Sequence, residues 1–266
     1  MSTAPLWSPS AERVSASNLT RFIECLRARR DLSLDDYPAL HAWSVQHADS
    51  FWFELAHFTD IKADWADAPV LRHGDRLPGA EWFPGAQLNF AENLLRFRDE
   101  QPALIAYTEK GTRRAISYRQ LHAEVGRVAA GLKAAGVGPG NRVAGFLPNI
   151  PEAVIAMLAA TSLGAIWSSC SPDFGIAGVL DRFGQIAPTV LITVDGYHYG
   201  GKTHDSLGPM AAVLAQLPSV RAIIVVGYVA ETPDLAPLQS GASERRVLHF
   251  ASFGTAGAKL NFTRLP

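Results

Sequence analysis

The strongest constraint on the fold is an alternation of short apolar runs and helix-length amphipathic stretches that begins at Pro102. Ala103 to Thr108 and Ala115 to Ser117 read as strands around a Glu109-Lys110-Gly111-Thr112 turn. Ser117 and Gln120 then form a capping box, and Tyr118, Leu121, Val125, Val128, Ala129 and Leu132 recur at helical spacing. Gly136-Val137-Gly138-Pro139-Gly140 stops that helix, and Val143 to Leu147 follows as a buried strand. The unit repeats. Asn149, Pro151 and Glu152 act as cap, first-turn proline and acid partner of a helix carried by Val154 to Leu163, and Ala165 to Ser168 is the next strand. Ser171-Pro172-Asp173 caps a helix with an inner face of Ile176, Val179, Leu180, Phe183 and Ile186. Val190 to Val194 is a strand, Met210, Val213, Leu214 and Leu217 mark a helix, and Ala222 to Val226 is a strand again. Parallel neighbours need long crossovers, and these helices supply them. The expected fold is therefore α/β, a mainly parallel sheet flanked by helices on both faces, with ligands beyond the carboxyl ends of the strands. Residues 230 to 245 read as a surface loop.

Residues 1 to 100 follow a different grammar, helical and rich in tryptophan. Leu19, Phe22, Ile23 and Leu26 form one helical stripe behind Ser17 and Asn18; a second helix follows Asp36, and a third follows Asp49 with Phe51, Trp52, Leu55 and Phe58. Trp43, Trp52, Trp65 and Trp82 read as large apolar anchors that wrap this extension onto another domain. In Trp82 to Leu95, Pro84 and Gly85 mark a turn, and Asn89 with Glu92 marks the capped start of a helix.

Bulk properties narrow the functional classes. The 266 residues are 48% apolar and 18% charged, which suits a buried core of some size, and the formal charge of −1 gives no basis for nucleic-acid or anionic-membrane partners. The apolar run Ala153 to Trp167 is interrupted by Thr161, Ser162 and Gly164 and is shorter than the roughly 18 residues of a spanning helix. Cys25 and Cys170 do not make a disulfide framework, which fits a reducing cytoplasm. No histidine has metal-ligand spacing. Ser168, Ser169, Cys170 and Ser171 gather nucleophiles without a nearby histidine and acid; Ser171 reads as a cap and Cys170 as a packed thiol.

One stretch points to a ligand. Gly196 to Thr203, GYHYGGKT, satisfies the G-x-x-x-x-G-K-[ST] pattern of a phosphate-binding loop and follows a strand. In such a loop the helix starts within the motif, yet Pro209 would fall inside a helix begun at Gly201, so the helix is expected near Ser206 to Pro209. The next strand also runs into Gly227 and Tyr228 rather than into an aspartate fit for magnesium. Three readings remain: a phosphate site of another kind, a solvated turn with glycines for geometry, and a P-loop nucleotidase.

The whole pattern resembles the N-terminal part of the adenylate-forming acyl-CoA synthetases. The matching pieces are Trp82 to Leu95, Ile116 to Leu121, GVGPGNRVAGFLPNIPE at 136 to 152, LGAIWSSCSPDF at 163 to 174 and DGYHYGGK at 195 to 202. The WFPG block narrows the likeness to short-chain members, and the last two pieces look like the acetoacetate-activating branch. The resemblance implies residues 101 to 266 as the incomplete start of an adenylation domain behind the extension. It implies acetoacetate, ATP with magnesium, and CoA as substrates and cofactors, with the rest of that domain and a C-terminal domain as partners. It places Tyr199, Gly200, Gly201 and Lys202 against the 3′-phosphate end of CoA, with Lys202 as the cation and the glycines permitting close approach. Tyr199 stands where acetyl-CoA synthetases carry an arginine, so one cation is lost there. The family's ATP-phosphate loop, magnesium residues and catalytic lysine are not found in the sequence, so these 266 residues alone are expected to be inactive. The rival expectations are a stand-alone CoA-binding or interaction module, and a synthetase for another short acyl group such as acetyl or propionyl.

Overall fold

Polar side chains fix where the first helices begin. The computed structural model describes residues 5–111, 113–239 and 245–266. The chain divides into two compact units, one running to Gln87 and including Pro266, the other Leu88–Leu265. In the first, Ser10 caps α1 (Ala11–Ser15), Ser17 caps α2 (Asn18–Arg30) and Asp36 caps α3 (Tyr37–Gln46), each side-chain oxygen accepting from a first-turn N–H. The next helix, α4 (Ala48–Phe58), starts one residue ahead of Asp49, which lies in its first turn. Phe22, Ile23 and Leu26 bury their stripe against Leu34 and Leu40, with Trp43, Phe51, Leu55 and Phe58 packed around them, whereas Leu19 on the same stripe is exposed. Trp52 meets the Trp82 ring at 6.1 Å and Trp65 meets Phe83 at 5.3 Å, yet all three tryptophans stay largely exposed. Glu54 is fully buried on α4 and is held by Arg30 at 2.7 Å and Arg29 at 3.4 Å.

The second unit opens with α5 (Phe90–Leu94), capped by Asn89 through a 3.1 Å bond from the Glu92 N–H. The Glu92 carboxylate forms a two-point pair with Arg264. Asn89 does more than cap. Its amide nitrogen donates to the carbonyls of Thr161 (2.8 Å) and Thr263 (2.7 Å), so a side chain only 3% exposed joins three segments. Next, β1 (Pro102–Tyr107) and β2 (Arg113–Ser117) pair antiparallel as a separate hairpin. The Ser117 and Gln120 box forms with both bonds in place and starts α6 (Tyr118–Ala134). Thr112, assigned to the expected turn, lies outside the described residues.

The sheet comprises β3 (Arg142–Phe146), β4 (Ile166–Cys170), β5 (Val190–Val194), β8 (Ala222–Val226) and β9 (Arg246–His249), all parallel, in the spatial order β9-β8-β5-β3-β4. Crossovers α7 (Pro151–Ser162), α8 (Ile176–Ile186) and α9 (Leu207–Leu214) connect these strands, while β6 (Gly196–Tyr199) and β7 (Lys202–Asp205) form a hairpin between β5 and α9. Because side chains alternate along a strand, Val190, Ile192, Ile224 and Val226 join the core under α6 and α7, while Leu191, Ile223 and Val225 join the core under α8 and α9. Helices thus cover both faces, as the sequence pattern requires.

Three local expectations are corrected. The cap of α7 is Ile150, not Asn149, and it makes no side-chain bond. Pro151 is the first helical residue and forces the residue before it to be extended, which leaves Asn149 one position too early. Ser171 does not cap α8: a turn closed by the Phe174 N–H on the Ser171 carbonyl intervenes, and Gly175 is the cap. Within the expected loop at 230 to 245, α10 (Ala236–Gln239) buries Leu238, while residues 240–244 lie outside the described part. The sequence reading also omits β9 and the β6–β7 hairpin.

Candidate functional site

At the carboxyl end of β5, Asp195 turns its carboxylate onto the loop that leaves β8. One oxygen accepts from the N–H groups of Tyr228 (2.8 Å) and Val229 (2.9 Å), the other from Ala230 (2.7 Å). The ends of two neighbouring strands are thereby tied together beside the reversal in strand order between β3 and β5. In an open parallel sheet a ligand crevice forms at such a place.

The chain then reverses through β6 and β7. Gly200 and Gly201 form the two-residue turn with φ of +59° and +73°, the pair of left-handed conformations that a type I′ hairpin requires. Gly196 is needed for closeness, since a Cβ there would stand 2.5 Å from the His204 carbonyl oxygen. Across the ribbon, the Tyr197 and His204 rings stack at 4.9 Å, and His198 Nδ1 lies 3.1 Å from the Thr203 hydroxyl.

This hairpin removes the P-loop reading. Lys202 and Thr203 sit on a strand, and α9 begins at Leu207, where the sequence placed its start. The first amides of that helix are already occupied: the Asp205 carboxylate accepts from Leu207 at 3.0 Å and from Gly208 at 2.9 Å. No free helix start faces the glycine turn, so no phosphate can be held in the P-loop manner.

Tyr199, Gly200, Gly201 and Lys202 together form the exposed tip of the hairpin, with Tyr199 70% exposed. A fifth residue joins them from the β1–β2 turn. Glu109 accepts from the Gly200 N–H at 3.1 Å and from the Gly201 N–H at 3.5 Å. Behind this contact is a cavity of about 440 Å³, lined among others by Glu109, Lys110, Arg114, Asn149, His198 and Tyr228. Burial, and then the charge of Glu109, hold the Tyr228 phenol above its ordinary pKa. Arg114 is paired with Glu152 at the cavity wall. Sequence reasoning missed Glu109 because its partner is 91 residues away. Asp195 carried a weak signal, an acid at a strand end ahead of a glycine turn.

The nucleophile-rich run does not gather into a site. Cys170 is buried, and that burial pushes its thiol up to about 11, so it stays protonated at neutral pH. Asp173 adds to the rise and Arg182 opposes it. Among the described residues, no three His, Cys, Asp or Glu side chains come together where a metal could be held. Also among these residues, no helix is long and apolar enough to cross a membrane.

Known proteins match this geometry in both sequence and fold. Residues 90–252 match the family model of AMP-binding enzymes, and residues 37–94 match the acetyl-coenzyme A synthetase N-terminus. An acetoacetyl-coenzyme A synthetase of Rhizobium meliloti is 41% identical over 98% of this chain and 39% of its own length. A malonamoyl-CoA synthetase of Penicillium aethiopicum is 34% identical over 98% of this chain and 37% of its own. The solved acetoacetyl-CoA synthetase of Streptomyces lividans superposes with a TM-score of 0.86 at 40% identity, covering 99% of this chain and 40% of that one. The chain thus spans about 40% of the length of the relatives it matches.

Proposed function

The chain belongs to the AMP-binding enzyme family, and on that premise we propose that it forms the N-terminal portion of an acid–thiol ligase that joins acetoacetate to CoA. In the proposed reaction the acetoacetate carboxylate attacks the α-phosphorus of ATP and expels pyrophosphate, and the CoA sulfur then displaces AMP from the acyl-adenylate. Magnesium would shield the phosphate charge of ATP during the first step. The relatives' names support acetoacetate as the acyl group, and the two free thiols, Cys25 and Cys170, suit a cytoplasmic setting.

The role assigned to these 266 residues is to hold the phosphate end of CoA. The observation that carries it is the exposed hairpin tip, where two successive glycine amides, held at present by the Glu109 carboxylate, and the exposed Lys202 lie at the carboxyl edge of a parallel sheet. Backbone amides and a lysine are a donor set suited to a phosphate monoester. Tyr199, too exposed to be needed by the core, is free to lie against the adenosine. Adenylation is assigned to residues beyond this set.

Calorimetry with CoA and 3′-dephospho-CoA tests the role. CoA should bind roughly fivefold more tightly, the worth of one exposed charge-assisted contact, and Lys202→Ala should shrink that difference. Equal affinity in the unsubstituted chain would remove Lys202 from the site. Turnover of ATP, acetoacetate and CoA by the 266 residues alone would overturn the assignment of adenylation elsewhere. Tight CoA binding by a protein that supports no ligation in any context would favour a stand-alone CoA-binding module.

A further inference from the structure

Glu109 lies where an anionic ligand of the hairpin would lie. Its carboxylate reaches from the β1–β2 turn across to the hairpin tip and takes both glycine amides, at 3.1 and 3.5 Å. These are the two amides of the donor set proposed for a phosphate, and a carboxylate, like a phosphate, is an anionic acceptor. Glu109 is exposed, and its bonds hold down no buried group. Lys110 lines the same cavity and offers a counter-charge to a carboxylate that leaves the amides, while Arg114 on the same wall is engaged by Glu152.

We propose that Glu109 is a resident anion that competes with a ligand's phosphate for the Gly200 and Gly201 amides, and thereby sets how strongly and how selectively the hairpin binds phosphate. The identity of the ligand as CoA rests on the function proposed above; the competition for the amides does not. With Glu109 in place, an incoming phosphate meets a negative charge and two occupied donors. A weakly held phosphate can displace the carboxylate and is also released readily. With Glu109 removed, the same tip presents free amides beside Lys202 and binds anions more tightly.

The test compares the unsubstituted 266-residue chain with Glu109→Ala and Glu109→Gln, the latter keeping an acceptor oxygen without its charge. Inorganic phosphate is titrated while the amide resonances of Gly200 and Gly201 are followed. The midpoint should fall roughly fivefold in Glu109→Ala, the effect of removing a unit charge a few ångströms away in water, and by less in Glu109→Gln. Unchanged spectra away from the hairpin would show that both variants keep the fold. An unmoved or raised midpoint, or no response in any of the three proteins, overturns the proposal. Calorimetry supplies a second arm: Glu109→Ala should tighten CoA and leave 3′-dephospho-CoA unchanged, and equal tightening of both also overturns it. If Lys202→Ala leaves CoA binding untouched while phosphate still competes with Glu109, the CoA reading fails and the competition stands.

Discussion

Asp195 and Glu109 each lay a carboxylate across successive backbone amides, but they do so in different surroundings. Asp195 is half-buried, makes three bonds of 2.7 to 2.9 Å, and joins the ends of two adjacent core strands. Glu109 is exposed, makes two longer bonds, and joins two surface hairpins. The same chemistry is structural in one place and replaceable in the other. The difference lies in what else would be left unpaired: without Asp195 three amides at once lose their acceptor, one of them on the half-buried Tyr228, whereas water can serve the two glycine amides at the exposed tip. The proposed competition at the hairpin requires a resident acceptor of the second kind.

Stability measurements sharpen that contrast, and Asn89 sets its upper end. It is a neutral, buried side chain that caps α5 and bonds two half-buried carbonyls, so Asn89→Ala should lower the unfolding free energy in urea by about 3 kcal/mol. Asp195→Ala should cost about 2 kcal/mol in the same assay and speed hydrogen exchange at Tyr228, Val229 and Ala230, leaving distant amides protected. A loss as small as that of a surface variant would mean that Asp195, too, is replaceable. Glu109→Ala should change stability by less than about 0.5 kcal/mol and speed exchange only at Gly200 and Gly201. A cost near that of Asp195→Ala would make Glu109 a latch of the fold and collapse the comparison.

Much of the architecture was legible along the chain. Val190–Val194 and Ala222–Val226 were read to the residue, because a strand buried on both faces is a short run of β-branched residues. The capping box at Ser117 and Gln120 was equally clear, since its two bonds span only three residues. The errors share a cause. Asn149 and Ser171 are good capping types one or a few residues from the true helix starts, and only the backbone path around Pro151 and the Ser171–Phe174 turn decides where those starts fall. The strand β9 has one parallel neighbour and a polar approach, so its four residues carry too little apolar signal to be recognised.

For the candidate site the division is sharper. That Tyr199 to Lys202 turn the chain was legible, because two adjacent glycines after a strand favour a tight reversal. That it is a hairpin and not a loop leading into a helix was only half visible: Pro209 ruled out an early helix, but the pairing of Gly196–Tyr199 with Lys202–Asp205 has no strong alternating pattern. By itself the sequence determined a parallel α/β unit behind a tryptophan-rich helical one, and where along the chain the glycine turn falls, because caps, glycine turns and apolar periods are local. Only the tertiary structure brought Glu109 to the amides of Gly200 and Gly201 and set Asp195 on the loop after β8. Those contacts join residues 91 and 33 or more positions apart, and a hydrogen bond over such a distance depends on the packing of the whole sheet rather than on any pattern in the residues between.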